Sequence, residues 1–173
     1  RKDCLHWYRD MQSIGLGLGY DLETMTKYFQ DAIAVDPLYW SAYEGHALYL
    51  LPRWHGHPGD WERFATEASN KIGGAEGDIL YSEICWRMSR YYHADEFFKE
   101  NNVNYIRIKK SLNLRGLKYG ASAHYLNAYC ILAGGIGDKV TTKALMTRIG
   151  DQWNPDLWKD KKYFDGYKKW ASE

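Results

Sequence analysis

The sequence predicts an all-α fold made of antiparallel helix pairs, and three observations carry that expectation. Apolar residues recur at spacings of three and four along most of the 173 residues, the period of one face of an α-helix. The runs are punctuated as helices are, with Asp, Asn or Ser before them and Gly after them. Strand-like alternation is confined to residues 105–108, and the charged run that follows resumes the helical spacing.

Taken in order, residues 2–11 read as a helix with Leu5, Tyr8 and Met11 on one side, stopping at Gly15-Leu16-Gly17-Leu18-Gly19. That run lacks the preceding strand of a dinucleotide fingerprint and reads as a close-packing turn. Asp21 caps a helix carrying Leu22, Met25, Tyr28, Phe29, Ala32 and Ile33. Asp36-Pro37 opens the next almost without a loop, because Asp caps well and Pro tolerates the first turn. That helix runs through Trp40, Tyr43, Ala47 and Leu50 to Leu51-Pro52, and so short a join folds the two helices back on each other. Asp60 caps a helix with Trp61, Phe64, Ala65 and Ala68 that ends at Gly73-Gly74, and residues 75–92 form its partner. Residues 103–119 are closed by Gly120. Ser122 caps a helix through Tyr125, Leu126, Tyr129, Cys130 and Leu132 to Gly134-Gly135. Asp138 opens a helix ending at Gly150, Asn154-Pro155 opens a short one toward Trp158, and residues 161–171 form the last. Gly73, Gly120 and Gly150 are expected to take left-handed, helix-terminating conformations.

Composition bounds the function. Lys plus Arg is 23 against 22 Asp plus Glu, a net charge of +1 that gives no basic footprint for nucleic acid and no polybasic membrane segment. Charges of both signs read as mixed along the chain. No apolar run approaches 18 residues, so no transmembrane helix is expected. The 8 Trp and 15 Tyr outnumber 5 Phe. Rings with a polar end suit half-buried positions, either at the edges of a thin core or along a ligand groove. Cys4, Cys85 and Cys130 are odd in number and too widely spaced for a metal knuckle. Free thiols lean toward a reducing compartment, with a removed signal peptide left open. The chain begins at Arg1 and is expected to be a fragment or processed product, residues 1–173 forming one helical-repeat domain.

The first helices of successive pairs begin near residues 21, 60, 103 and 138, spacings of 39, 43 and 35, against about 34 for a strict tetratricopeptide repeat. The stretch Ala32-Ile33-Ala34-Val35-Asp36-Pro37-Leu38-Tyr39-Trp40-Ser41-Ala42-Tyr43 resembles the junction between adjacent tetratricopeptide units. Leu51-Pro52-Arg53-Trp54-His55-Gly56-His57-Pro58-Gly59-Asp60-Trp61 and Arg148-Ile149-Gly150-Asp151-Gln152-Trp153-Asn154-Pro155-Asp156-Leu157-Trp158 are similar to segments of uncharacterised bacterial domains of that type. The resemblance implies a right-handed α-α superhelix and no particular activity.

Two functions compete. The first is a scaffold that binds a protein or peptide partner along a groove lined by the second helices of the pairs, with Tyr43, Trp86, Tyr125 and Asn127 as contacts and Arg53, Trp54, His55 and His57 as loop candidates. Tyr, Trp and Asn supply contact area with little entropy loss. The alternative is a metal-dependent enzyme at the His55/His57 loop. Two His with a carboxylate suit Zn or non-haem Fe, and His93 with Asp95 or Glu96 would have to converge there. No nucleophile elbow, phosphate loop or cofactor motif is present, and Cys85 lies mid-helix with no activating terminus. Arg53 reads as a structural anchor on helix-end carbonyls or on Trp54 or Trp61. Trp54 and Trp61 are expected to pack beneath their loop.

Overall fold

The computed structural model describes residues 4–173, among which there are eleven helices and no strand. They gather into two compact units, Arg1–Met88 and Ser89–Glu173.

The first unit comprises α1 (Leu5–Leu18), α2 (Leu22–Val35), α3 (Trp40–Tyr49), α4 (Asp60–Ile72) and α5 (Gly74–Ser89). The expected helix start at Lys2 lies outside the described residues. The expected turn at Gly15-Leu16-Gly17 is instead helix, and α1 ends only at Gly19, which takes the left-handed conformation (φ 70°, ψ 41°). Packing overrides the glycine signal here. A Cβ on Gly15 would sit 2.5 Å from the Met25 sulfur, so the missing side chain lets α1 press against α2. Asp21 caps α2 by accepting from the Thr24 N–H at 2.7 Å. The Asp36 carboxylate accepts from the Leu38 N–H at 2.9 Å, so Asp36-Pro37 makes a turn and α3 starts at Trp40, later than the sequence suggests.

The centre of this unit is α3, on which α1, α2 and α4 all pack. Ala42, Tyr43, His46, Ala47 and Tyr49 are buried on it, so it is enclosed nearly all round. Gln12 ties α1 to it, its Nε2 donating to the Ala42 carbonyl at 3.0 Å. Trp61, 1% exposed, anchors the start of α4.

The second unit holds α6 (Ala94–Glu100), α7 (Tyr105–Tyr119), α8 (Ala123–Gly135), α9 (Lys139–Ile149), α10 (Pro155–Trp158) and α11 (Lys161–Ser172). Here α8 is central, packed by α6, α9 and α10, while α11 covers α9 and α10. No helix was expected between residues 92 and 103, where α6 forms; its seven residues are too few to show a period, and the buried Phe97 holds it in place. A Cβ on Gly135 would lie 2.4 Å from the Ala94 carbonyl oxygen, so this glycine permits the approach of α6 to α8. Ser122, Asp138, Asn154 and Asp160 cap their helices through side-chain acceptors. The Asp138 carboxylate also accepts from Lys109 Nζ and Tyr105 Oη, both at 2.8 Å. Burial disfavours its charge, but Lys109, Thr141 and Tyr105 outweigh that and hold the carboxyl well below the usual range.

The glycines that stop the helices differ from expectation in one angle. Gly73, Gly120 and Gly150 have positive φ (73°, 80° and 56°), but their ψ values of 175°, 164° and −118° are not those of a left-handed helix. The chain leaves each helix extended.

Charge is not mixed evenly. Arg1–Met88 contains 8 Lys and Arg against 13 Asp and Glu, a balance of −5, whereas Ser89–Glu173 contains 15 against 9, a balance of +6. The near-zero total hides two units of opposite sign.

Candidate functional site

The concavity that the fold builds in its first unit is an apolar groove between α2 and α4, closed at one end by the turn before α3. Phe29 and Ile33 of α2, Pro37, Tyr43 of α3, and Phe64, Ala68 and Ile72 of α4 line it, with Glu67 and Lys71 at its edge. Its volume is about 430 Å³, within the usual range for ligand-binding concavities of roughly 300–1,000 Å³.

The groove exists because α4 carries two apolar stripes. Trp61, Ala65 and Ser69 face the core, while Phe64, Ala68 and Ile72, one step round the helix at four-residue spacing, face the gap. Ala68 is short, and its missing bulk gives the groove depth.

The floor is a set of interlocked rings. Phe29 stands edge-on to Tyr43 at 5.0 Å and to Phe64 at 5.2 Å, and stacks on His46 at 4.9 Å with planes 20° apart. The Tyr43 hydroxyl donates to the Pro37 carbonyl at 2.8 Å, fixing the turn over the ring that follows it. His46, 5% exposed, has no hydrogen-bond partner at Nδ1, and burial pushes its pKa down to about 4. A neutral imidazole therefore backs the floor at neutral pH, acting as an aromatic slab. On the same helix, burial raises the Glu44 pKa to about 7; the neighbouring Glu83 carboxylate adds to the shift and Arg87 opposes it.

The anticipated groove residues do not form an exposed row. Tyr43 and Tyr125 are each 3% exposed and Asn127 is fully buried, while Trp86 on α5 is half-buried. Tyr43 reaches the α2/α4 groove, but from below, as floor. Tyr125 donates its hydroxyl to the Leu112 carbonyl and lies under the Arg115 guanidinium at 4.4 Å, so it joins α7 to α8. Asn127 is a four-way tie. Its Nδ2 donates to the Ala123 and Gln152 carbonyls (2.7 and 3.0 Å), and its Oδ1 accepts from the Asn154 N–H and Trp158 Nε1 (3.2 and 2.6 Å). The polar ends of these side chains are spent inside the unit, which is why they are buried.

The 52–60 loop is structural at one end and exposed at the other. His55 stacks on Tyr49 at 4.6 Å and places Nε2 3.2 Å from the Leu16 carbonyl, one of the unpaired acceptors ending α1. Gly56 passes so close to Leu50 that a Cβ there would lie 1.9 Å from the Leu50 carbonyl oxygen. His57, its side chain 87% exposed, turns instead to Asp60, whose carboxylate accepts from the His57 N–H at 2.8 Å and from Arg63 at 2.6 Å. The backbone bond from His57 is the largest cause of the lowered Asp60 pKa. Trp54 does not pack beneath the loop: it is 44% exposed, with the Arg53 guanidinium 5.9 Å from its ring centre. Trp61 alone of the pair is buried.

The metal reading needs at least three convergent ligands, and among the described residues no three His, Cys, Asp or Glu side chains gather to supply them. His55 and His57 are committed to different partners, and His93 stands exposed at the head of α6. The three cysteines are free thiols; burial raises Cys130 to about 12. Among the described residues no helix is long and apolar enough to cross a membrane.

Of the groove residues only Tyr43 was expected in a binding groove; Phe29, Ile33, Phe64 and Ala68 read from the sequence only as apolar helix faces. The available signal was the width of the apolar face of α4, which spans Trp61, Phe64, Ala65, Ala68 and Ile72, more than one packed neighbour covers. Comparison with family models, with curated proteins and with solved structures finds no match to this chain.

Proposed function

We propose that the chain is a protein-interaction module of tetratricopeptide-like type, and that its first unit takes an apolar stretch of a polypeptide partner in the groove between α2 and α4. The observation that carries this reading is the lining. Aromatic and aliphatic side chains form the floor and walls, and one acid and one base, Glu67 and Lys71, stand at the edge where a peptide backbone or its polar side chains would lie. This is the arrangement of helix-in-groove and extended-peptide recognition, in which apolar anchors supply affinity and rim polar groups set register. The tetratricopeptide-like assignment is part of the same proposal. Its support is the Ala32 to Tyr43 junction, where two packed helices are joined by four residues.

A displayed random-peptide library tests it. Selected peptides should carry two or more apolar side chains at recurrent spacing, and Ala68→Trp, which fills the groove, should abolish their binding while the melting temperature stays put. A library that yields no binder, or binders that hold the filled variant equally well, removes the groove as a recognition site.

A further inference from the structure

We infer that the outward face of α1, with the adjoining edge of α2, is a docking surface for a second copy of this chain, the two α1 helices packing antiparallel about a two-fold axis. The first ground is an inversion on α1. Tyr8, Gln12 and Gly15 face the core, so this helix buries an amide and a glycine. Beside them run Trp7, Met11, Ile14 and Leu18, spaced by four, three and four residues as in a coiled-coil seam. These stay outside: Trp7 is 41% exposed, Ile14 47% and Leu18 70%, with Met11 half-buried. A face that stays in water carries polar side chains instead.

The second ground is that the seam is continuous with α2 and already ordered. The Trp7 ring stands edge-on to Tyr8 at 5.0 Å and to Tyr28 of α2 at 5.8 Å. It is therefore fixed before a partner arrives, which lowers the ordering cost of binding. Val35, about two turns beyond Tyr28 on the same side of α2, is exposed as well. Phe29 and Ile33, which line the groove, lie on the other flank of α2, so the two surfaces are separate.

Area, charge and shape together select the second copy. Scaled by their exposures, Trp7, Met11, Ile14, Leu18, Tyr28 and Val35 present on the order of 450 Å² of apolar surface, about the apolar share of a standard interface burying roughly 800 Å² per partner. The 14 residues of α1 contain one Arg and one Asp, Arg9 and Asp10, bound to each other at 2.8 Å. No charge is left on the helix to choose a charged partner, and two units whose balance is −5 can meet here without opposing like charges. A helix lying in a bilayer interface would instead carry several Lys and Arg on its polar face. A two-fold interface must be self-complementary. Antiparallel pairing centred between Gln12 and Ser13 sets Trp7 against Leu18 of the second copy and Met11 against Ile14 of the second copy. The bulky ring then meets a smaller aliphatic group at each end of a seam about 16 Å long at 1.5 Å per residue, whereas parallel pairing would press Trp7 against its own copy.

The test is sedimentation equilibrium of the full chain over a wide concentration range. The mass should rise reversibly from 20.2 kDa toward twice that value, with a dissociation constant in the micromolar range or tighter. Leu18→Glu and Trp7→Lys should each weaken association at least tenfold, because every symmetric pair then buries two unpaired charges. An equimolar mixture of the two variants should regain association, since one end of the mixed pair keeps Trp7 against Leu18 and the other sets Lys against Glu. That recovery cannot come from unfolded variants and is specific to the antiparallel register. Val140→Glu, at an exposed position on α9, should associate as the parent does. The inference is overturned if the parent stays at 20.2 kDa into the millimolar range, if Leu18→Glu associates as the parent does, or if the mixture stays monomeric. It is also overturned if Val140→Glu alone abolishes association, or if a monomeric parent is retained by phosphatidylcholine vesicles.

Discussion

Replacing Asn127 with Ala is the sharpest test of how the second unit is held together. The side chain is fully buried and makes four hydrogen bonds, to Ala123, Gln152, Asn154 and Trp158. Two of the groups it satisfies are donors, and the Trp158 ring that carries one of them is 2% exposed. Orphaning a buried donor costs about 1–3 kcal/mol. The Ala123 carbonyl loses less, since it lies on the first turn of α8 and has a helical partner available. Allowing for non-additivity among bonds that share one side chain, the expected loss is about 3–4 kcal/mol in urea unfolding. Asn127→Asp keeps the acceptor for Trp158 and Asn154 but removes the donor and buries a carboxyl, so it should be destabilising and more so as pH rises. A double-mutant cycle with Trp158→Phe, which deletes only the indole donor, should give a coupling of about 1–2 kcal/mol. A loss below about 0.5 kcal/mol for Asn127→Ala, the range of ordinary surface changes, would refute the assignment of Asn127 as the tie between α8 and the loop before α10.

Other outcomes follow from the same geometry. Glu44 has a native pKa raised to about 7 from 4.5, so the folded state holds a proton that the unfolded state releases. Its contribution is complete below about pH 4.5 and is lost as pH rises to about 7, and Glu44→Gln should flatten that slope and add on the order of 2 kcal/mol at pH 8 by urea unfolding. His46 acts at the other side: its pKa is depressed from 6.5 to about 4, so stability present above pH 6.5 is lost as pH falls toward 4. His46→Phe, which keeps the stack on Phe29, should remove that loss; an unchanged acid limb would contradict the buried neutral imidazole. Gly135→Ala should destabilise by roughly 1–3 kcal/mol because its Cβ meets the Ala94 backbone, while Gly116→Ala on α7, with open space around it, should stabilise by about 1 kcal/mol. Thermal melts of the two variants moving in the same direction would refute this account of the glycines.

Helix class and most helix ends were legible in the sequence because they rest on neighbours along the chain. Asp21, Ser122, Asp138 and Asn154 cap through residues two or three positions on, and their side chains accept from the backbone as expected. Where a boundary depended on a distant segment the reading failed. The Gly15 to Leu18 run stays helical because Met25 packs on Gly15, and α6 forms because Phe97 is buried.

The candidate site divides the same way. Tyr, Trp and Asn serve equally in a core or a groove, and composition cannot say which. Tyr125 and Asn127 went inside because their polar ends found Leu112, Gln152, Asn154 and Trp158 there. The charge balance of +1 was read correctly as a total, yet the separation into −5 and +6 emerges only when the chain is divided between its two compact units. What the sequence determined by itself is the local order: helices, caps and the apolar faces available for burial. Which of those faces is covered was decided by tertiary packing. Neighbouring helices leave the second stripe of α4 only half-covered and seal the ring of Tyr43 beneath it, and that depends on helix separations no single segment encodes.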